Sequence, residues 1–393
     1  MALDYEKLRS DIRGLVDEVI RPNADRVDRE GLFPRDNLNA LAKAGWNGVL
    51  IPEEYAGLGL GYQAFAIAAE EIGRACASTG LVYVMHVGAA QTIHLFGNHD
   101  QKERWLKPAR DGLIGTYSTS EKATGGHWWF NLSEAARDGA DHYLLNAEKS
   151  FTTSAGQADY YIMQTRSPGA KGPTDISFFI VDAKLDGIRH GTWEALGVRG
   201  NHSGPLRYDN VRVHARDRLG AEGQGKDIVY HGVSPVYLLG LGAVWHGVAR
   251  AALEHATAHV TATVHRDFNR RLSDYQVLRQ QLGEAKVLVE SLRPWQAELA
   301  RQLDHLQATG QPQGQLLLPL TEFKVHAAEV ANRSARNALD VSGGYGYKKG
   351  PIERIFRDAR AGIGMGPSNN IAREWIGKAL VGLPLELFEA GGE

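Results

Sequence analysis

Hydrophobic and polar positions follow two regimes along this 393-residue chain. From about 116 to 213, short β-branched or aromatic runs recur: His142-Tyr-Leu-Leu-Asn-Ala-Glu-Lys149, Tyr161-Ile-Met-Gln-Thr-Arg166, Ser177-Phe-Phe-Ile-Val181 and Leu206-Arg-Tyr-Asp-Asn-Val-Arg-Val213. Turn clusters such as Ser167-Pro-Gly and Asp186-Gly187 separate them, which predicts a small antiparallel sheet or barrel. On either side Ala, Leu, Glu and Arg recur at helical spacing. A β block between two helical blocks predicts an α+β fold, divided 1–113, 114–219 and 220–393.

Leu8, Ile12, Leu15, Val19 and Ile20 predict an amphipathic helix over 3–30 that Pro22 interrupts or restarts. Further helices are expected over 38–44, closed by Gly45, and over 65–77, 81–96 and 101–110. The 81–96 stretch is largely apolar and therefore interior; His86 and His94 on it read as satisfied or lining histidines, with no third metal ligand at useful spacing. Gly57-Leu-Gly-Leu-Gly61 lacks the spacing of a dinucleotide fingerprint and reads as a loop. Helices over 236–261, 275–310, 320–338 and 369–380 predict an antiparallel bundle.

A formal net charge of −2 with 23% charged residues gives no sign of a nucleic-acid surface. Cys76, the single cysteine, cannot form an intramolecular disulfide and reads as a small core residue. The start Met1-Ala-Leu-Asp-Tyr-Glu lacks a basic region followed by an apolar run, and no uncharged apolar run approaches ~20 residues. A cytoplasmic protein without a membrane span is expected.

Six words stand in order: Pro52-Glu-Glu-Tyr-Ala-Gly-Leu-Gly-Leu-Gly61, Tyr117-Ser-Thr-Ser-Glu-Lys-Ala-Thr-Gly-Gly126, His142 to Gly156, Gly197-Val-Arg-Gly200 with Ser203-Gly204, Gly343-Gly-Tyr-Gly346 and Arg357-Asp-Ala-Arg360. With the helix–sheet–helix order, they resemble the acyl-CoA dehydrogenase flavoproteins over nearly the whole chain. The resemblance implies an N-terminal helical domain, a central antiparallel β domain and a C-terminal four-helix bundle that builds a homotetramer. It implies FAD, with FMN or a diffusible reduced flavin as lesser choices. Tyr117, Thr119, Ser120 and Gly125 match positions around the flavin ring, and Phe151 and Thr153 match the aromatic and threonine that flank it. A flavin passing a hydride through N5 needs neutral donors around N1, O2 and N5. Arg266, Phe268 and Gln276 match a segment that reaches the neighbouring subunit's flavin. Gly343, Gly344, Ser368 and Asn370 match further cofactor positions.

The departures from the family pattern concern the chemistry. The serine that helps bind acyl-CoA is Gly126, followed by His127, Trp128 and Trp129, a bulky lip that either stacks on an aromatic substrate or packs inward. The family's pyrophosphate arginine is His265, and the glutamine before Gly343 falls at Asp340, which puts tight FAD retention in doubt. The base position, nine residues after Arg357, is Gly366, next to Met365. The alternative base position is Tyr237, a phenol of pKa ~10, and the arginine beside it is Leu238.

Three readings follow. One is an oxidoreductase acting on an acyl thioester or related small molecule, not by ordinary α,β-desaturation. A second is a monooxygenase using reduced flavin and oxygen. The third is flavin-assisted elimination, or a catalytically silent subunit. An acyl-CoA or carrier-bound acyl substrate, and a flavin reductase or electron-transfer partner, go with these readings.

Overall fold

Asp4 starts the first helix by accepting the Lys7 backbone N–H at 3.0 Å. A computed structural model describes residues 3–122, 124, 127–385 and 387–388. Helix α1 (Tyr5–Leu15) runs through a widened turn at Val16–Ile20 into α2 (Arg21–Arg29). Pro22 restarts the helix, one of the two expected outcomes: it sits in the first turn of α2, after the π turn at Val16–Ile20. Helix α3 (Arg35–Lys43) ends at Gly45, whose φ of +82° most side chains resist. Helices α4 (Gly61–Ala75) and α5 (Ala77–Phe96) meet at extended, buried Cys76, whose thiol is pushed up by burial. A capping box of Asn98 and Gln101 opens α6 (His99–Trp105).

The β block forms two four-stranded sheets. Its strands are β1 (Gly115–Ser118), β2 (Ala136–Asp138), β3 (His142–Lys149), β4 (Tyr160–Arg166), β5 (Ile176–Asp182), β6 (Ile188–His190), β7 (Leu206–His214) and β8 (Arg218–Leu219). They are ordered β1-β4-β5-β8 and β2-β3-β7-β6. The expectation of an antiparallel sheet needs one correction, because β1 and β4 run parallel. Between them the chain supplies β2 and β3 to the other sheet, and that detour gives a parallel pair the crossover it requires. In β4, Tyr160 and Ile162 join the helix-side core while Tyr161 and Met163 join the core between the sheets. That two-sided burial explains why β4 and β5 read as continuous apolar runs.

In the last segment, α7 (Gly225–Asp227) passes through a π turn, Ile228–Val233, into α8 (Ser234–Ala262). A hairpin of β9 (Val264–His265) and β10 (Arg270–Arg271) precedes α9 (Gln276–Glu290) and α10 (Leu292–Ala308), which divide the single helix expected over 275–310. Helix α11 (Leu317–Tyr347) runs past its expected end across a kink at Gly343. Helix α12 (Pro351–Gly364) escaped the hydrophobic pattern because Arg and Asp interrupt its buried face of Ile352, Ile355 and Ala359. Helix α13 (Asn369–Leu380) matches its expected bounds. Among the described residues, 225–262 is long and apolar enough to cross a membrane, but 83% of its most apolar window is buried inside the protein.

Helix α8 lies against α4 at backbone contact, since a Cβ at Gly247 would meet the Glu70 carbonyl oxygen at 2.1 Å. Beside this crossing Glu70 and Glu71 are fully buried and bonded to Arg9, Arg13, Arg74 and Arg250. A second clamp joins all three segments. Arg357 on α12 holds Asp28 on α2 at 2.6 and 2.8 Å and donates to the Leu196 carbonyl at 3.1 Å. Its neighbour Asp358 accepts the Val198 N–H at 2.6 Å.

Candidate active site

A cavity of about 350 Å³ opens where the three segments meet. Met85 of α5 forms one wall. Tyr117, Thr119 and Ser120 come from β1 and its exit, and Phe151 and Thr153 from the exit of β3. Trp128, Tyr237 of α8, and Met365 and Gly366 between α12 and α13 close the remaining side. Residues assigned from distant words of the sequence thus share one space.

Neutral hydrogen bonds set the sheet side. The Thr153 and Ser203 hydroxyls lie 2.9 Å apart, and the Ser203 N–H donates to Asn201 Oδ1 at 3.1 Å. Thr152 N–H to the Gly204 carbonyl, at 3.0 Å, fastens the 198–204 loop to the β3 exit. Phe151, just past this fastening, is 65% exposed, an unusual state for a large aromatic ring on a rigid strand exit. The Tyr117 hydroxyl is engaged by Thr92 at 2.8 Å. His86 joins α5 to β1 by accepting the Gly115 N–H at 3.0 Å, and burial pushes its imidazole down to about 4, so it is neutral.

One carboxylate, Glu121, lines the cavity among the described residues. Lys149 pairs with it at 2.7 Å, and Asn131, the Leu132 and Ser133 N–H groups and the Ser133 hydroxyl also donate to it. Burial alone would raise its carboxyl, but the charge and hydrogen bond of Lys149 outweigh that and hold it below the ordinary range. Every lone pair is occupied, so Glu121 is a poor proton acceptor for a ligand.

Neither family base position offers a base. Gly366 has no side chain, and burial raises the Tyr237 phenol. The segment carrying Gly366 is held by Lys324 of α11, whose ammonium donates to the Met365 and Pro367 carbonyls at 3.0 and 2.8 Å and to Asn369 Oδ1 at 3.0 Å. Burial lowers that amine to about 7, and the charge of Glu329 offsets this only in part.

Two pocket expectations need correction. Leu238, one residue around the helix from Tyr237, is 2% exposed and packs into the core instead of lining the cavity. His127 bonds the Thr124 carbonyl at 3.0 Å and meets Trp129 edge-on, away from the lining. The aromatic lip divides: Trp129 is buried against Trp375, with ring centroids 4.8 Å apart, while Trp128 lines the cavity. Gly125 and Gly126 lie outside the described residues.

Arg266, Phe268 and Gln276 stand exposed on the hairpin and at the start of α9, and Gly343, Gly344 and Asn370 are also exposed. Ser368 is half-buried. None of them lines this cavity. Asp340 is turned to solvent beside Arg336 at 3.6 Å. The structure adds lining residues that no site assignment named, among them Met85, Glu121, Trp193, Val198, Asn201 and Ser203. The Gly197–Gly200 and Ser203-Gly204 words carried a signal for the loop residues. Trp193 carried none.

Family models extend the comparison to the whole chain. The acyl-CoA dehydrogenase N-terminal domain matches residues 3–112, the middle domain 116–211 and the C-terminal domain 239–381. A short-chain specific acyl-CoA dehydrogenase of Clostridium acetobutylicum is 29% identical over 361 residues, 91% of this chain and 92% of its own. A 3-(aryl)acrylate reductase of Clostridium sporogenes is 30% identical over 360 residues, 91% of this chain and 93% of its own. A glutaryl-CoA dehydrogenase solved with glutaryl-CoA superposes with a TM-score of 0.90 at 27% identity, covering 100% of this chain and 98% of that one. With a helical, β and helical chain closed on one cavity, these matches define a flavin-dependent oxidoreductase. The chain belongs to the acyl-CoA dehydrogenase family.

Proposed function

We propose that this chain is a FAD-dependent oxidoreductase acting on an acyl thioester or related small molecule by a reaction other than ordinary α,β-desaturation. One observation carries the reading: among the described residues no lining side chain is free to take an α-proton, because position 366 is glycine and Glu121 is saturated. The cavity suits a flavin ring. An exposed phenylalanine offers a flat apolar face, the Thr153 and Ser203 hydroxyls offer neutral donors, and Glu121, the one lining carboxylate among the described residues, is neutralised by Lys149. When bound, the flavin supplies hydride transfer. The chain's own residues then hold and orient the ring (Ser120, Phe151, Thr153), fix the Gly366 segment (Lys324) and exclude water from the apolar wall (Met85, Val233, Tyr237).

The outward-facing Phe268, 66% exposed, and the exposed Arg266 and Gln276 support a homotetramer in which a second copy receives them. The 3-(aryl)acrylate reductase and short-chain acyl-CoA dehydrogenase relatives support an acyl or aryl-acyl substrate. A monooxygenase using reduced flavin and oxygen is the second reading, favoured by the pairing of a base-free site with the Trp128–Tyr237 aromatic wall.

Anaerobic mixing of FAD-loaded protein with butyryl-, octanoyl- and isobutyryl-CoA is expected to leave the flavin oxidised, and rapid bleaching by any of them overturns the reading. Oxygen-dependent turnover with supplied reduced flavin selects the second reading. Titration with FAD is expected to show micromolar binding that Phe151→Ala with Thr153→Val weakens by tenfold or more, on the order of two lost contacts at ~1 kcal/mol each. An unchanged affinity removes those residues from the ring site, and a monomer by light scattering that binds equally well removes the second copy.

A further inference from the structure

We infer that Tyr237 donates a hydrogen bond to an oxygen of the substrate, and that the cavity takes an aromatic group bearing a carbonyl-type acceptor. The inference rests on the reading above that substrate binds in this cavity. Of its polar groups, Tyr117 is engaged by Thr92, Glu121 is saturated and Thr153 faces Ser203, while the Trp128 and Trp193 indole N–H groups, like the Tyr237 hydroxyl, have no partner among the described residues. The Tyr237 hydroxyl makes no hydrogen bond among the described residues, although its ring lines the cavity and is largely buried. No charged group perturbs it and burial raises its phenol, so the O–H stays intact through the physiological range. A phenol oxygen shares its lone pair with the ring, so it donates better than it accepts.

Packing holds the Tyr237 ring in place. Val236, Leu238 and Leu239 around it on α8 are buried, and the Trp128 ring meets Tyr237 edge-on at 6.0 Å and 62°. Met85, Trp128, Val233 and Met365 give the donor an apolar, sulfur- and ring-lined surround. Such a surround favours a flat aromatic group. A donor left unpaired there costs free energy, so a ligand with an acceptor at that point gains over an isostere without one.

Acetophenone and α-methylstyrene share a shape and differ in that oxygen. Quenching of tryptophan fluorescence on FAD-loaded protein reads their binding, since Trp128 and Trp193 line the cavity. Wild type is expected to bind the ketone roughly three- to tenfold more tightly, the span of one net hydrogen bond. Tyr237→Phe is expected to abolish that preference while leaving α-methylstyrene unchanged. Equal affinities in wild type, a preference that survives Tyr237→Phe, or no saturable binding of either probe overturns the inference. An infrared spectrum of acetophenone bound to wild type gives a test independent of any variant's folding: a carbonyl stretch lowered from its position in alkane is expected, and an unshifted one overturns the assignment. Neither measurement involves turnover, so bleaching by acyl-CoA would defeat the functional reading without moving this ratio.

Discussion

Gly366→Glu is expected to turn a flavin that acyl-CoA leaves oxidised into one that slowly bleaches. A positioned base typically contributes ~10²–10⁴-fold, so the contrast with wild type should be large wherever the thioester binds. The backbone permits the test. Gly366 lies outside the left-handed region, so a side chain there meets no conformational penalty of that kind. Lys324 also grips both flanking carbonyls, so the new carboxylate starts from a held segment. Rescue is expected to be partial, because the two positions expected to carry substrate ligands are glycine at 126 and leucine at 238. Stopped-flow absorbance with butyryl-CoA reads it. An unchanged rate despite measurable butyryl-CoA binding would refute position 366 as the vacant base site.

Lys149→Met is expected to destabilise the fold by about 3 kcal/mol, because it leaves the Glu121 charge without its buried counterion. The loss extends beyond the ion pair, since the ammonium also donates to the Thr119 carbonyl at 3.2 Å and the Gln164 carbonyl at 2.5 Å. In wild type the Glu121 carboxyl is held below its unfolded value. Its contribution is therefore present above the unfolded pKa and lost as pH falls through the lower folded one. In the variant the lysine's charge and hydrogen bond are gone and only the Asn131, Leu132 and Ser133 donors oppose burial, so the carboxyl lies above its wild-type value and the contribution that wild type keeps as the pH falls is lost at higher pH. The gap between the proteins should narrow from pH 7 towards pH 4. Urea melts at both pH values check it; a gap that is constant or wider in acid would show that the pair is not its source.

Long-range pairing separates what could be read in the sequence from what could not. Amphipathic spacing located α3 and α13 because each buries one apolar face, a largely apolar run located the interior helix α5, and turn clusters located the strands. The parallel β1–β4 pair was illegible, because strand order depends on where the chain goes between strands. Tyr117, Phe151, Thr153, Tyr237 and Gly366, far apart in sequence, line one cavity. Leu238 shows the limit: one helical step, about 100° around the axis, sends its side chain into the core instead of the cavity. Trp193 enters the lining from an irregular loop whose path no periodicity encodes.

The clamp of Arg357 on Asp28 and of Asp358 on the Val198 amide makes the cavity a seam shared by three parts of the chain. A molecule resting in that seam touches walls that exist only while all three parts are docked. Its binding energy therefore adds to their mutual affinity, by RT ln(1 + [L]/Kd). Occupancy and assembly rise and fall together. A saturating ligand should thus raise the melting temperature of the chain as one cooperative unit, and a fragment ending near residue 220 should hold none.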